Sequence, residues 1–431
     1  MAIEKTFFPE FKKKEIEQVF LGIDFGTSYT KVSYSIAPSD NPQIHTLEWN
    51  SDDKYFIQSV IYFKEDKLYF TKPEKDYEEI KYFKYSILEE SLRNYSQKNL
   101  KNNFEEMCCV YYLAQIIKRS LKQIQEKNNI KDLENIKITV NMGAPLENFY
   151  NEREKPNKEL YLEILENAIT LAGGSAVKAG IPENDVSLLD LDSVYTELLK
   201  KKPKLKWRAD VIPELAAELF LYHQSKSVPE GIYVIIDIGG GTVDMAVFQK
   251  YKYHPNAPAG MYCLAQKVIP LGVEILNTKK NEDDKLQSKR ELQETFSRMV
   301  ITSRRRMDGS YDDIKKVDVF FLGGGANNDW YKNSISETTV RLRSGFNPKL
   351  NFSYSIESFI NSEDSLLIKN QRLIISQMIS KTKDDITSVL GFPDYYEVAE
   401  SEPRGIQRLS HNRHYLDEDA AKRSGWDDSS V

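Results

Sequence analysis

The sequence predicts an α/β fold in which two similar lobes, each a mixed sheet flanked by helices, face each other across a cleft. Three observations carry this prediction. The first is Ile236-Asp237-Ile238-Gly239-Gly240-Gly241-Thr242-Val243-Asp244-Met245-Ala246-Val247, an apolar run broken by three glycines before a second apolar run. That order reads as strand, tight turn, strand, the glycines taking backbone angles closed to other residues. The second is that the unit occurs twice. Ile23-Asp24-Phe25-Gly26-Thr27-Ser28-Tyr29-Thr30-Lys31-Val32-Ser33-Tyr34 aligns with it without gaps, Asp24 matching Asp237, Gly26 matching Gly239 and Val32 matching Met245. The third is Val317-Asp318-Val319-Phe320-Phe321-Leu322-Gly323-Gly324-Gly325-Ala326-Asn327-Asn328, a buried strand running into another Gly-rich turn.

The turns have a chemistry of their own. Consecutive small residues leave a concave wall of bare backbone N–H groups, which binds anions and phosphate above all. Asp237 and Asp244 flank the second turn. Two carboxylates beside a phosphate cradle point to a divalent cation held through water. Two such hairpins far apart in one chain predict two lobes sharing one nucleotide.

In this order the three segments resemble the phosphate 1, phosphate 2 and adenosine signatures of the actin, sugar-kinase and heat-shock-chaperone ATPase superfamily, over roughly residues 18 to 395. The likeness is greatest to the nucleotide-binding domain of the chaperones. It implies a two-lobed actin-like fold of duplicated ribonuclease H-like domains, with ATP or ADP and Mg2+ as cofactors. By this resemblance Gly26, Thr27, Ser28 and Tyr29 on one side, and Gly239, Gly240, Gly241 and Thr242 on the other, hold the phosphates. Asp24 and Asp237 position hydrated magnesium, and Gly323, Gly324, Gly325 and Ala326 let adenosine lie against the backbone.

The remaining elements follow in chain order. Residues 1–17 are a charged N-terminal extension, and 18–209 make the first lobe. Gln58 to Phe63 and Lys67 to Phe70 read as a strand pair resembling the chaperone strands after phosphate 1, where a lysine faces the γ-phosphate. Lys72, Lys75 and Lys84 all stand near that place; Lys72 is carried forward and the other two stay open. Residues 75 to 128 read as helical, with Met107, Val110, Tyr111, Leu113, Ile116 and Ile117 as the inward stripe. Ile136 to Val140 is a strand, and a helix from Glu159 to Leu171 stops at Gly173-Gly174.

Residues 210–349 make the second lobe. Ile212-Pro213-Glu214-Leu215-Ala216-Ala217-Glu218-Leu219 resembles the superfamily's connecting helix, in which a glutamate near the proline orients the attacking water. Chaperones carry that acid before the proline; here Glu214 follows it, as in actin-like plasmid-segregation proteins. The alternative is an early-turn acid that only complements the helix dipole. Val268-Ile269-Pro270-Leu271-Gly272-Val273-Glu274 resembles a chaperone element that assigns Gly272 and Glu274 to the nucleotide. Ser303-Arg304-Arg305-Arg306 is either the basic helix that stacks on adenine in chaperones or a solvated charge run. Residues 366 to 390 read as helical, 350–395 as packing back onto the first lobe, and 396–431 as a polar tail.

Composition narrows the function classes. A net charge of −6 leaves no basic surplus for nucleic acid. Three cysteines, two of them adjacent, make no disulfide framework and suit a cytoplasmic setting. No apolar run reaches the ~20 residues of a membrane span, and the start lacks a signal-peptide pattern. His411 and His414 have a helical metal-binding spacing but no third ligand near them. Three functions compete: a chaperone-like ATP-driven switch read by a protein partner, a self-associating actin-like filament former, and a small-molecule kinase. The kinase ranks last because no extra Asp motif stands beside the adenosine strand to act as general base.

Overall fold

A computed structural model describes residues 18–37, 43–49, 53–87, 103–145, 157–175, 184–200, 204–224, 231–251, 260–306, 316–343, 349–352, 371–381 and 389–390. The architecture is mixed α/β. The chain opens with β1 (Gln18–Phe25) and β2 (Tyr29–Ala37), then β3 (Ile44–Thr46) and β4 (Ile57–Gln58). A small meander follows, β5 (Val60–Lys64), β6 (Lys67–Tyr69) and β7 (Glu78–Lys81). Next come α1 (Phe83–Ser86), α2 (Phe104–Asn128), β8 (Lys137–Ala144), α3 (Asn157–Leu171), β9 (Asp185–Ser187), α4 (Leu188–Lys200), β10 (Arg208–Pro213) and α5 (Glu214–Gln224).

The second half holds β11 (Gly231–Ile238), β12 (Val243–Tyr251), β13 (Gly260–Ile269), α6 (Val273–Thr278), α7 (Glu282–Arg306), β14 (Lys316–Leu322), α8 (Asp329–Arg343) and β15 (Lys349–Phe352). A 3-10 turn, Gln371–Leu373, leads into α9 (Ile374–Ile379), and β16 is Val389–Leu390.

Two six-stranded sheets repeat one topology. In the first, β1 pairs antiparallel with β2 and β2 with β3, while β8 and β10 run parallel on the other side. In the second, β11 pairs antiparallel with β12 and β12 with β13, while β14 and β15 run parallel on the other side. Parallel central strands need cover on both faces, and β1 and β11 are accordingly almost wholly buried. Period-two alternation sorts β11: Tyr233 and Ile235 join the core of the first half, whereas Ile232, Val234, Ile236 and Ile238 pack with α7 and α8 residues such as Phe296 and Tyr331. A third sheet has the order β7-β5-β6-β9.

Several expectations need correction. The stretch from 75 to 128 is not one helix: Glu78–Lys81 pairs with Val60–Phe63, and ladder bonds to β5 override local helical preference there. The helix proper runs from Phe104 to Asn128 and is capped by Asn129, at a left-handed φ of 54°, whose N–H reaches the carbonyls of Gln125 and Glu126. Of 366–390, the described residues form the 3-10 turn, the short helix α9 and β16 rather than one helix. The boundary at 209/210 cuts through β10, which belongs to the first sheet. Of 350–395, α9 lies on the first sheet, where Ser35 Oγ donates to Ser380 O (2.6 Å) and Asn141 Nδ2 donates to Ile379 O (2.6 Å). β15 and β16 join the second sheet instead. The α3 stop falls where expected, at Gly173 with φ +95°. Residues 1–17, the histidines His411 and His414 and the segment 396–431 lie outside the described residues. Among the described residues no helix is long and apolar enough to cross a membrane.

Candidate functional site

The two glycine turns meet. A Cβ on Gly241 would sit 2.6 Å from Thr27 Cγ2, and one on Gly240 would run into the Ser28 side chain. Only glycine lets the β1–β2 and β11–β12 turns approach this closely. The turns close one end of a cleft that is open at its mouth.

Each turn has its own bracing. Gly26 N–H bonds Asp24 O (3.1 Å), and Ser59 ties the turn from outside, its N–H to Ser28 O (2.8 Å) and its Oγ to Gly26 O (2.7 Å). In the second turn Gly239 N–H bonds Thr242 O (2.9 Å). The N–H groups of Gly26 and Gly239 are thus spent on shaping the turns. Those of Thr27, Ser28, Gly240, Gly241 and Thr242 have no backbone hydrogen-bond acceptor among the described residues outside the strand ladders. They are the donors left for an anion. Ser28 Oγ is buried with no partner.

Behind the turns stands a cluster of acids. Asp24, Glu214, Glu218, Asp237 and Asp244 all line the cleft, answered by Lys31, Lys84 and Arg372. The hairpin registers explain an asymmetry. Asp24 lies opposite Lys31 across β1–β2, and the two form an ion pair at 2.6 Å. The equivalent Asp237 lies opposite Asp244 across β11–β12, carboxylate against carboxylate. Burial, with Glu214 and Asp24 nearby, pushes Asp237 up to about 7 although Lys31 opposes it. Burial and the neighbouring Glu214 and Asp237 raise Asp244 well above the usual carboxylate range. Asp237 Oδ1 and Glu218 Oε2 are buried without partners.

Lys84 enters from α1 and pairs with Glu214 Oε1 at 2.7 Å, both side chains buried. Burial pulls the Lys84 ammonium down, but Glu214, Asp24 and Asp244 more than offset it and hold it above the ordinary lysine value. Burial lifts Glu214 despite the pull of Lys84, and Asp24 adds to the rise. Glu214 sits where β10 ends and α5 begins, because Pro213 closes the strand and is tolerated just before a helix's first turn. A Cβ on Gly143, on the neighbouring strand β8, would meet Glu214 Cγ at 2.8 Å, so a bare backbone makes room for the acid.

The expected residues divide. Asp24, Gly26, Thr27, Ser28, Tyr29, Glu214, Asp237, Gly239, Gly240, Thr242, Gly323 and Gly324 line the cleft. Lys72 does not: it is exposed, with its ammonium 5.3 Å from the Tyr77 ring centre, because β7 carries the chain away before returning it at Lys84. Lys75 is also exposed and only offers its carbonyl to Lys64. Gly272 and Glu274 act from behind, donating N–H bonds to Gly241 O (3.0 Å) and Gly240 O (2.8 Å). Gly325 is wedged against Ile238 and Val273, and Ala326 belongs to the core, so neither is among the residues lining the cleft. Gly324 is open, with only the Arg372 guanidinium within 4 Å of a Cβ placed there. The side chains of Arg304 to Arg306 lie outside the described residues.

Three cleft residues were missed. Lys31 was legible, since the gapless hairpin alignment sets it against Asp244. Glu218 was legible too, four residues after Glu214 on one helical face. Arg372 carried no sequence signal; its guanidinium reaches the cleft from the far C-terminal side, stacked 3.9 Å over the Phe56 ring and paired with Asp53 at 3.6 Å. Among the described residues no group of three or more His, Cys, Asp or Glu side chains could hold a metal ion directly. No protein-family model and no curated protein matches the chain.

Proposed function

We propose that this chain is a Mg-ATP-binding ATPase of the actin, sugar-kinase and heat-shock-chaperone superfamily, with nucleotide held between two actin-like lobes. The observation that carries the reading is the contact of two duplicated glycine turns, Thr27-Ser28 against Gly240-Gly241, with their spare N–H groups beside a buried acid cluster. The repeated sheet topology supports it, because a duplicated fold puts two equivalent turns on either side of one ligand.

Each residue then has a task. The N–H groups of Thr27, Ser28, Gly240, Gly241 and Thr242 hold phosphate oxygens. Asp24 and Asp237 would accept hydrogen bonds from the waters of a bound Mg2+, whose charge would offset part of the carboxylate and phosphate charge. Glu214 orients the attacking water and takes its proton, suited to this by a raised affinity for protons. Lys84, held by Glu214, stabilises negative charge developing on the phosphoryl oxygens. Gly324 offers bare backbone to the nucleoside.

Two uses of such a cycle remain in view: a conformational switch read by a protein partner, and a self-associating filament. Placement of Glu214 after Pro213 favours the filament reading, and chaperone-like sequence around both turns favours the switch. ATP turnover measured over a wide range of protein concentrations, with Glu214→Gln alongside, tests both. A constant rate per molecule that collapses in the variant supports the switch, a rate rising above a threshold concentration supports filaments, and no turnover removes the ATPase reading.

A further inference from the structure

The connector Tyr82-Phe83-Lys84 makes three consecutive anchorages. Tyr82 takes a left-handed φ of +59°, a region that a side-chain-bearing residue keeps only where its surroundings over-determine it. Its hydroxyl donates to Glu274 Oε2 at 2.7 Å, and a Cβ on Gly241 would lie 3.7 Å from its ring, so it covers the outside of the second turn. Its carbonyl accepts from both the N–H and the Oγ of Ser86 (2.9 Å each), which fixes the start of α1. Phe83 is buried among Phe25 and Tyr112. Lys84 then reaches Glu214.

These contacts close a circuit between the two hairpins. Glu274 bonds the second turn with its backbone N–H and holds Tyr82 with its carboxylate. Tyr82 is two residues from Lys84, which pairs with the acid at the first sheet's edge. The Tyr82 hydroxyl is therefore the point at which the second hairpin grips the segment carrying Lys84.

We propose that Tyr82 is a positioning residue of this site, tying Lys84 to the second glycine turn through Glu274, so that the lysine is in place only while the two turns are closed together. This rests on the nucleotide-cleft reading for its link to turnover, but the tie itself does not. The test is Tyr82→Phe, which keeps the ring over Gly241 and removes only the hydroxyl, compared with Glu274→Ala and the double variant. A charge-assisted hydrogen bond of this kind is worth about a ten-fold effect. The expected result is a kcat lowered about ten-fold in both single variants and no further in the double, with nucleotide affinity changed by less than about three-fold because the phosphate donors are untouched. Amide hydrogen exchange of the nucleotide-free chain gives an independent reading: segment 78–86 exchanges faster in Tyr82→Phe than in the wild type. A kcat within about two-fold of wild type with unchanged exchange overturns the proposal, as do additive losses in the double variant. Should the wild-type chain fail to turn over ATP, the nucleotide reading falls and the exchange comparison alone decides the tie, faster exchange sustaining it and equal exchange ending it.

Discussion

Replacing Lys84 with methionine strips the charge from a buried ion pair and keeps most of the side-chain volume. The pair is short, 2.7 Å, with side chains only 5% and 13% exposed, so solvent cannot take over the role of either partner. Removing one member of such a pair costs about 3–5 kcal/mol, because the other charge stays buried and uncompensated. The cost is expected at the upper end at pH 8, where Glu214 is left facing Asp24 and Asp244 with Lys31 as the nearer remaining cation. Glu214 already binds protons more tightly than an ordinary glutamate, and without Lys84 it binds them more tightly still. A folded state that holds a proton the unfolded chain releases loses stability as pH rises. The gap between variant and wild type therefore widens from pH 5.5 to pH 8. The double variant Lys84→Met/Glu214→Gln removes both charges and regains most of the loss, to within about 2 kcal/mol of wild type. Urea-denaturation midpoints of the four proteins at both pH values provide the assay. A single-variant loss below about 1 kcal/mol at pH 8, the behaviour of a solvent-exposed pair, would refute the reasoning, as would a gap independent of pH.

Three further outcomes are expected. Lys72→Ala leaves ATP turnover within about two-fold of wild type, whereas Lys84→Ala lowers kcat by roughly 10²–10³, the scale of a lost oxyanion donor; equal effects would return Lys72 to the site. Gly272→Ala drives a methyl into the Gly240 backbone and lowers the thermal midpoint, an overpacking cost of about 1–3 kcal/mol. Gly324→Ala meets only a guanidinium at 3.6 Å and leaves the midpoint nearly unmoved. The third concerns Asp237, which titrates near 7 in the free protein, so the folded chain holds a proton there that the unfolded chain gives up near the ordinary 3.8. Stability of the free protein falls as pH climbs through that window, while Mg-nucleotide affinity, which requires the charged form, rises across it. Calorimetry at pH 6 and pH 8 reads both, and Asp237→Asn flattens the two dependences.

Much of the site was written in short-range pattern. Two gapless hairpins placed Asp24 and Asp237, and Gly240 and Gly241 were required because the turns touch each other. What the pattern could not convey was long-range geometry. Lys72, Lys75 and Lys84 differ only by where a strand of the small sheet takes the chain, and the pairing of Glu78–Lys81 with β5 decides that. Gly272 and Gly325 are glycines that pack tightly behind the turns, against Gly240 and against Ile238 and Val273, a role local sequence does not encode. Arg372 comes from a segment brought to the cleft by α9 packing on β1, where Gly22 leaves room for the Ser376 carbonyl. Of the helix expected over 366–390, the described residues place α9 on the first sheet and Val389–Leu390 in the second, so the stretch is shared between two sheets.

The central claim is that the cleft between the two glycine turns binds magnesium nucleotide. Its most direct test is a calorimetric titration of Mg-ATP and Mg-ADP into the full chain, repeated with Asp24→Asn and with magnesium chelated. The structure predicts saturable binding at one site per chain, weakened about ten-fold or more in the variant and by chelation. Absence of saturable heat with both nucleotides in the presence of magnesium would contradict it.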